Sequence, residues 1–381
     1  MEHYTDPNRY EGTDSARLQA AVDDAERRGL GMTVITRKED DPLAPWELTE
    51  TLLLPSDFTL VIENCTLRLA DGVFCNAVSN RNCGTALGRT LEGGQKNIRI
   101  LGRGNAVISG GNYNGLGERN ANREGRPPIW VNAMLFFTNV EGIVLENLRL
   151  EKSRWWAVCF THCSAGTVRH IRFESDRTRV DEDGKIVEGI PEHFHYEQIR
   201  VKNSDGVDLR TGCHDFLLED LSGFTEDDTV ALTGVPPRDG GLESVFDLEG
   251  ASDDIRNVII KDIHSYSFCS LVRLLNQGGV RLYNITVSGV TDTWEPDCGI
   301  SRSNYAVRLG DPHPYGGRAA LPEETSHITV ENVISAARLA GVNLSGGMSH
   351  VLVRNARLAR AAGGAAAVSS DGAEGEDIVI A

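Results

Sequence analysis

Short alternations of apolar and polar residues recur along most of the chain, separated by Asn, Asp, Gly and His. Clear examples are FTLVIENCTLRLA from Phe58, NIRILGRGNAVISG from Asn97, NVEGIVLENLRL from Asn139 and GTVRHIRF from Gly166. Further on come FLLEDL from Phe216, NVIIKDI from Asn257, VRLYNITVSGV from Val280, HITVENV from His327, HVLVRNARL from His350 and DIVIA from Asp377. The period is two, which is that of a strand, and the runs are bounded by turn residues. They return about every 23 to 27 residues, or roughly twice that where a longer connection intervenes, as the coils of a solenoid do. The runs are too short, and the connections too strand-rich, for βαβ units. The pattern predicts an all-β protein, a right-handed parallel β-helix.

One stretch near the N-terminus has a different period. In TDSARLQAAVDDAERR, Leu18, Ala21, Val22 and Ala25 share one helical face, with Thr13 or Asp14 as N-cap and Gly29 as the stop. A solenoid exposes the edge of its first coil, so a helix over residues 13–29 is expected to cap it. No linker or charge block divides the chain, and a single β-helix domain is expected over residues 1–381, with coils from about residue 58.

Aligning the apolar pairs gives a set of inward-outward-inward triplets. They are Val158-Cys159-Phe160, Val207-Asp208-Leu209, Val230-Ala231-Leu232, Val272-Arg273-Leu274, Val307-Arg308-Leu309 and Val342-Asn343-Leu344. The middle residues should form one outward ladder, in which Asp208, Arg273 and Arg308 would line a ligand groove along the helix axis. Phe246-Asp247-Leu248 would add Asp247, at a spacing of about 16 residues that is short for a coil. Long connections at 112–130, 174–194, 234–254, 291–304 and 311–325 would wall that groove. Walls of that kind favour chain ends or oligosaccharides over an open cleft.

The ladder also locates a group of acids. Asp205 stands two residues before Val207, and Asp228 two before Val230, with Asp227 beside it. Adjacent coils lie roughly 4.8 Å apart, so the three carboxyls should gather into an acid/base site. A lone Asp in such a chain is most often a turn residue bonding its own backbone. The stacked offset is what raises these three above that reading.

The blocks around them, Asn203-Ser204-Asp205-Gly206-Val207-Asp208, Gly212-Cys213-His214-Asp215 and Asp227-Asp228-Thr229-Val230-Ala231, resemble those of glycoside hydrolase family 28, the polygalacturonases and their relatives. The specific motifs lie between Asn203 and Asn276, and the looser likeness spans most of the chain. The resemblance implies an inverting glycosidase in which Asp227 is the general acid and Asp205 and Asp228 activate water. It also gives Arg273 a place in substrate binding. Two of the family's features are missing. No histidine follows the double aspartate in GVPPRDGGLESVFDLEG, and Leu275 stands where the family has a lysine. A glycan other than polygalacturonate is therefore expected.

Other candidate substrate contacts are Asn203, Asp208, Arg210, Trp155, Trp156, His195 and Arg308, with His193 and His162 behind them. Trp155-Trp156 falls level with Asp205 and would stack on a sugar face. Two other readings stay open: a polysaccharide lyase with Arg273 as base and Ca²⁺ held by the aspartates, and a non-catalytic carbohydrate-binding solenoid.

Composition narrows the partners. A net charge of -17 argues against nucleic acid, and no run is long enough to span a membrane. The eight cysteines show no metal spacing and are expected to be buried thiols, so neither a metal nor a cofactor is expected. Gly-rich pieces do not lead a strand into a helix, which argues against a nucleotide loop. The polar start MEHYTDPNRY has no signal-peptide core and points to the cytoplasm, or to a secreted chain whose leader has been removed.

Overall fold

The computed structural model describes residues 3–177, 179–180, 186–187, 202, 204–236, 246–311, 318–360 and 363–381. The chain winds into a right-handed parallel β-helix with three faces. One face is a ten-stranded sheet running from Leu52–Leu54 to Ala366–Ser369. The other two share long strands such as Val140–Glu151, Ser164–Glu174, His214–Thr225 and Ile255–Ser267. Each of these bends at an interior residue and continues onto the next face.

The bends explain the recurring Asn, Asp and His. Asn147, His170, Asp220, Asp262, Asn332 and Asn355 all have φ between +50° and +58° and lie in register from coil to coil. A second column of left-handed residues, including Asp57, Asn97, Asp215, Asn257, Asn284, His327, His350 and Asp377, begins each long strand. Short polar side chains tolerate this conformation because they hydrogen-bond locally. Here they also bond to each other. Asn97 Nδ2 donates to Asp57 Oδ1 at 2.6 Å, Asn257 Nδ2 to Asp215 Oδ1 at 2.7 Å, and Asn284 Nδ2 to Asn257 Oδ1 at 3.2 Å.

Inside, the strand period stacks like on like. Ile100, Leu145, Val168, Leu218, Ile260, Val287, Val330 and Val353 form one buried column. On the ten-stranded face both apolar positions of every triplet are buried, from Val158 and Phe160 to Val342 and Leu344. At about 1.5–3 kcal/mol per buried aliphatic side chain, these columns fix the coil register. All eight cysteines are free thiols, five of them buried.

Helix Asp14–Arg27 covers the first coil as expected. Thr13 Oγ1 accepts from the Ala16 amide at 3.3 Å, Gly29 ends the helix at φ +66°, and Leu18, Ala21, Val22 and Ala25 are fully buried. The coils begin earlier than residue 58, because Met32–Ile35 already pairs in parallel with the strand from Phe58. This first strand was hidden by its surroundings, being followed by a polar stretch with no apolar alternation. Among the described residues no helix is long and apolar enough to cross a membrane.

Candidate active site

The ladder has the register that the triplets predict. Cys159 pairs with Asp208, Asp208 with Ala231, Ala231 with Arg273, Arg273 with Arg308, and Arg308 with Asn343. Asp247 does not belong to it. The strands from Val230 and Ser270 pair directly, and Phe246 packs outside the sheet against Phe136, with ring centroids 4.7 Å apart. The spacing after Val230 is too short for a coil because this segment is part of a connection that folds back over the face.

The same register aligns the acids. The Ala157 amide donates to the Asp205 carbonyl at 2.8 Å, and the Gly206 amide to that of Asp228 at 2.9 Å. The Thr229 amide then donates to the Ser270 carbonyl at 3.2 Å, so Trp156, Asp205, Asp228 and Ser270 occupy one position in successive coils. Gly206 permits the close approach. A Cβ there would stand 2.4 Å from the Thr229 carbonyl oxygen. The turn carrying Asp227 and Asp228 is held by buried hydroxyls: Thr225 Oγ1 donates to the Asp227 carbonyl at 2.9 Å, and Thr229 Oγ1 lies 2.9 Å from both Thr225 Oγ1 and Ser265 Oγ.

The acids lie buried where a ligand groove walled by long connections was expected. Asp205, Asp227 and Asp228 are 6%, 3% and 2% exposed, and Asp208 is completely buried. An aromatic cluster of Trp130, Phe136, Trp155, Trp156 and Phe246 packs around Ala133 and Cys159 on the same face, in the coils before the acids. Asp205 Oδ1, Asp228 Oδ1 and both Asp208 carboxyl oxygens have no hydrogen-bond donor. Buried acceptors of this kind call for a proton, a water or a ligand.

Burial sets the protonation of the cluster. It is the largest influence on all four acids and disfavours their charged forms. Asp205 is pushed well above the ordinary carboxylate range, with the charges of Asp208, Asp227 and Asp228 adding to the effect. Asp208 rises to about 8, restrained by Arg210. Asp227 rises to about 7, with Asp228 raising it further and Arg273 opposing. Asp228 is also raised, but Arg273 and Arg308 both favour its anion.

The arginines are committed within the protein. Arg273 Nη1 lies 3.7 Å from Asp228 Oδ2, and its Nη2 donates to Asp311 Oδ2 at 3.0 Å. Arg308 Nη2 donates to the same oxygen at 3.1 Å. Arg210 Nη1 is 3.8 Å from Asp208 Oδ1, and its guanidinium covers the Trp156 ring at 4.4 Å. Trp155 and Trp156 stack on each other with centroids 3.6 Å apart and are 1% and 3% exposed. The expected sugar-stacking face is therefore absent from both. With Trp155 on one side and Arg210 against the ring, Trp156 is part of the wall.

His162 does not join the acids. It packs beyond the far end of its strand, level with Thr211, and burial lowers it to about 4, leaving the imidazole neutral. Asn203, His193 and His195 lie outside the described residues, as does much of the connections expected at 174–194, 234–254 and 311–325.

Three contributors escaped the sequence reading. Asp311 follows the Val307 triplet and gathers two arginines from successive coils. Cys269 lies level with Asp227, a position that counting back from Val272 would have reached. Lys202, buried at 3% exposure, donates its amide to Glu226 Oε2 at 2.8 Å and pairs with Asp176.

No protein-family model matches the chain, and no curated protein matches it in sequence. Solved structures do match. The polygalacturonase of Erwinia carotovora ssp. carotovora superposes with a TM-score of 0.55 at 14% identity, covering 98% of this chain and 93% of that one. The endo-xylogalacturonan hydrolase from Aspergillus tubingensis gives 0.54 at 14% identity, covering 98% and 100%. A tailspike protein of an E. coli bacteriophage gives 0.53 at 12% identity, covering 94% and 63%. These likenesses establish a polygalacturonase-like β-helix fold. At such identities they carry nothing finer.

Proposed function

We propose that this protein is an inverting glycoside hydrolase acting on oligosaccharides or chain ends through Asp205, Asp227 and Asp228. The observation that carries the reading is the junction itself: acids from adjacent coils, buried together, with acceptor oxygens that no protein donor satisfies. A scaffold that needed only turn residues would point them at solvent or at backbone amides.

Asp227 suits the general acid. Held near a pKa of about 7, it is largely protonated below neutrality and delivers its proton to the glycosidic oxygen. Water attacks the anomeric carbon from the opposite side as the bond to the leaving oxygen breaks. The water's proton passes to the Asp205–Asp228 pair, in which the two arginines make Asp228 the anionic member. Oxygens of Asp227 and Asp228 come within 4.8 Å of one another, closer than the roughly 6.5–9.5 Å that leaves room for water in an inverting site. Asp205, in the neighbouring coil and held toward its protonated form, is assigned to orient the water while Asp228 takes its proton.

The closed site favours a short substrate or a terminal residue over a polymer interior. The elimination reading would need Arg273 to lose a proton while Asp228 and Asp311 hold it charged, which argues against it. The test is a screen of neutral and acidic oligosaccharides with the native protein and Asp227→Asn in parallel, following the first-formed anomer by NMR. Release of a reducing sugar of inverted configuration, lost in Asp227→Asn, is expected. An unsaturated product or a retained anomer overturns the assignment.

A further inference from the structure

We infer that Asp227, Asp228 and Cys269 form a binding site for a soft divalent cation of the zinc type, at the junction between two coils. One ligand atom from each of the three lies within 4.8 Å of the others, and all three side chains are buried. Carboxylate with thiolate is a donor set that suits zinc and cadmium and is poorly matched to calcium or magnesium. Metal–oxygen distances of about 2.0–2.2 Å and a metal–sulfur distance of about 2.3 Å place such ligands about 3.3–3.7 Å apart in a tetrahedron. The three ligand atoms, within 4.8 Å of one another, would draw closer on binding. The fourth position would be left to water.

A second observation points the same way. Asp228 Oδ1, on a side chain only 2% exposed, accepts no hydrogen bond from the protein. Arg273 lies against its other oxygen at 3.7 Å and is itself drawn to Asp311 together with Arg308, which leaves Oδ1 for an incoming ion.

The step is ligand exchange without redox change. The Cys269 thiol and any protonated carboxyl release their protons to solvent as the metal–ligand bonds form, so binding strengthens as pH rises. Bound there, the ion occupies the Asp227 carboxylate and blocks proton delivery. The proposal concerns binding, and it stands or falls apart from the hydrolase reading.

The test titrates the full chain, freed of metal by chelator, with zinc chloride by calorimetry and with cadmium chloride by ultraviolet absorption. One ion per chain is expected, with a thiolate-to-cadmium charge-transfer band. Cys269→Ser should abolish the band, and Asp228→Asn should weaken binding at least tenfold. Asp215→Asn, an exposed acid in a distant corner, should leave it unchanged. In the unmutated protein, ¹¹³Cd NMR should show a single resonance of one-sulfur, oxygen-rich coordination, which needs no variant to fold. A band that survives Cys269→Ser, a resonance of oxygen-only or multi-sulfur coordination, or no binding at millimolar metal overturns the inference.

Discussion

Asp311→Asn tests whether the arginine ladder is a ready-made anion site or one neutralised from within. One Asp311 oxygen accepts from Arg273 at 3.0 Å and from Arg308 at 3.1 Å, and Asp311 itself is 8% exposed. A hydrogen bond to a charged group contributes about 1.5–3 kcal/mol. Asparagine keeps an acceptor oxygen but loses the charge, so about half of two such bonds is forfeited, or roughly 1.5–3 kcal/mol. The arginines sit in adjacent coils, and two positive charges about 4.8 Å apart repel by roughly 3.5 kcal/mol at an effective dielectric of 20. Solvent at the half-buried Arg308 relieves part of that. The expected loss of folding stability is therefore about 2–4 kcal/mol, read from urea denaturation.

The gain should appear in binding. In the native protein a uronate carboxylate would compete with Asp311 for the same two guanidiniums, so trigalacturonate is expected to bind no better than its methyl ester. In Asp311→Asn the competitor is gone. The acid should then bind at least tenfold more tightly, about 1.4 kcal/mol, and its affinity should fall with added salt while that of the ester stays unchanged. Calorimetry with both ligands decides the matter. A folded variant with unaltered affinity for the acid, or a native protein that already prefers it, would refute the reasoning.

Other outcomes follow from the same geometry. Asp227→Asn should lower the hydrolytic rate by about 10²–10⁴-fold, and the native pH–rate profile should lose activity on its alkaline side with a midpoint near 7. Gly206→Ala places a methyl group 2.4 Å from the Thr229 carbonyl oxygen and 3.1 Å from the Phe173 ring. It should destabilise by about 1–3 kcal/mol and depress activity in the protein that does fold. The buried acids have raised pKa values, so the native state binds more protons than the unfolded chain between pH 4 and 8. Stability should therefore fall as pH rises through that window, and Asp208→Asn should flatten the decline in urea melts at pH 5 and 8.5.

The parts of this fold that were legible are those the backbone dictates. Val-x-Leu triplets at one coil's offset could pair in only one register without turning their apolar set outward, and the structure has that register. The Asn, Asp or His that begins many of the strand runs marks a left-handed corner whose steric demand can be read from residue type alone. What escaped depends on how connections fold back. Trp155 and Trp156 lie where a sugar platform would be useful, but whether a ring faces solvent is decided by Arg210 and the neighbouring aromatics, which no period in the sequence reveals. Asp311 was hidden for the same reason, since nothing in LGD says that its carboxylate turns back across two strands. Asp247 misled because Phe246-Asp247-Leu248 has the alternation of a strand without the coil spacing that makes one.

The acids at the junction stand apart from the rest of their own column. The position held by Asp205 and Asp228 is held by Trp156 in the coil before, and by Ser270, Tyr305 and Ala340 in those that follow. The scaffold therefore makes no demand for an acid there, since small, aromatic and hydroxyl side chains all satisfy the same backbone. Beside those two, Asp208 and Asp227 are buried as well, with burial working against each charge. Replacing one partner of a structural ion pair leaves a buried charge exposed to that cost, whereas replacing one of several crowded like charges relieves it. Stability gained together with activity lost on Asp208→Asn would mark a cluster kept for its chemistry. Stability lost at every pH would mark a structural network and remove the ground for a catalytic role.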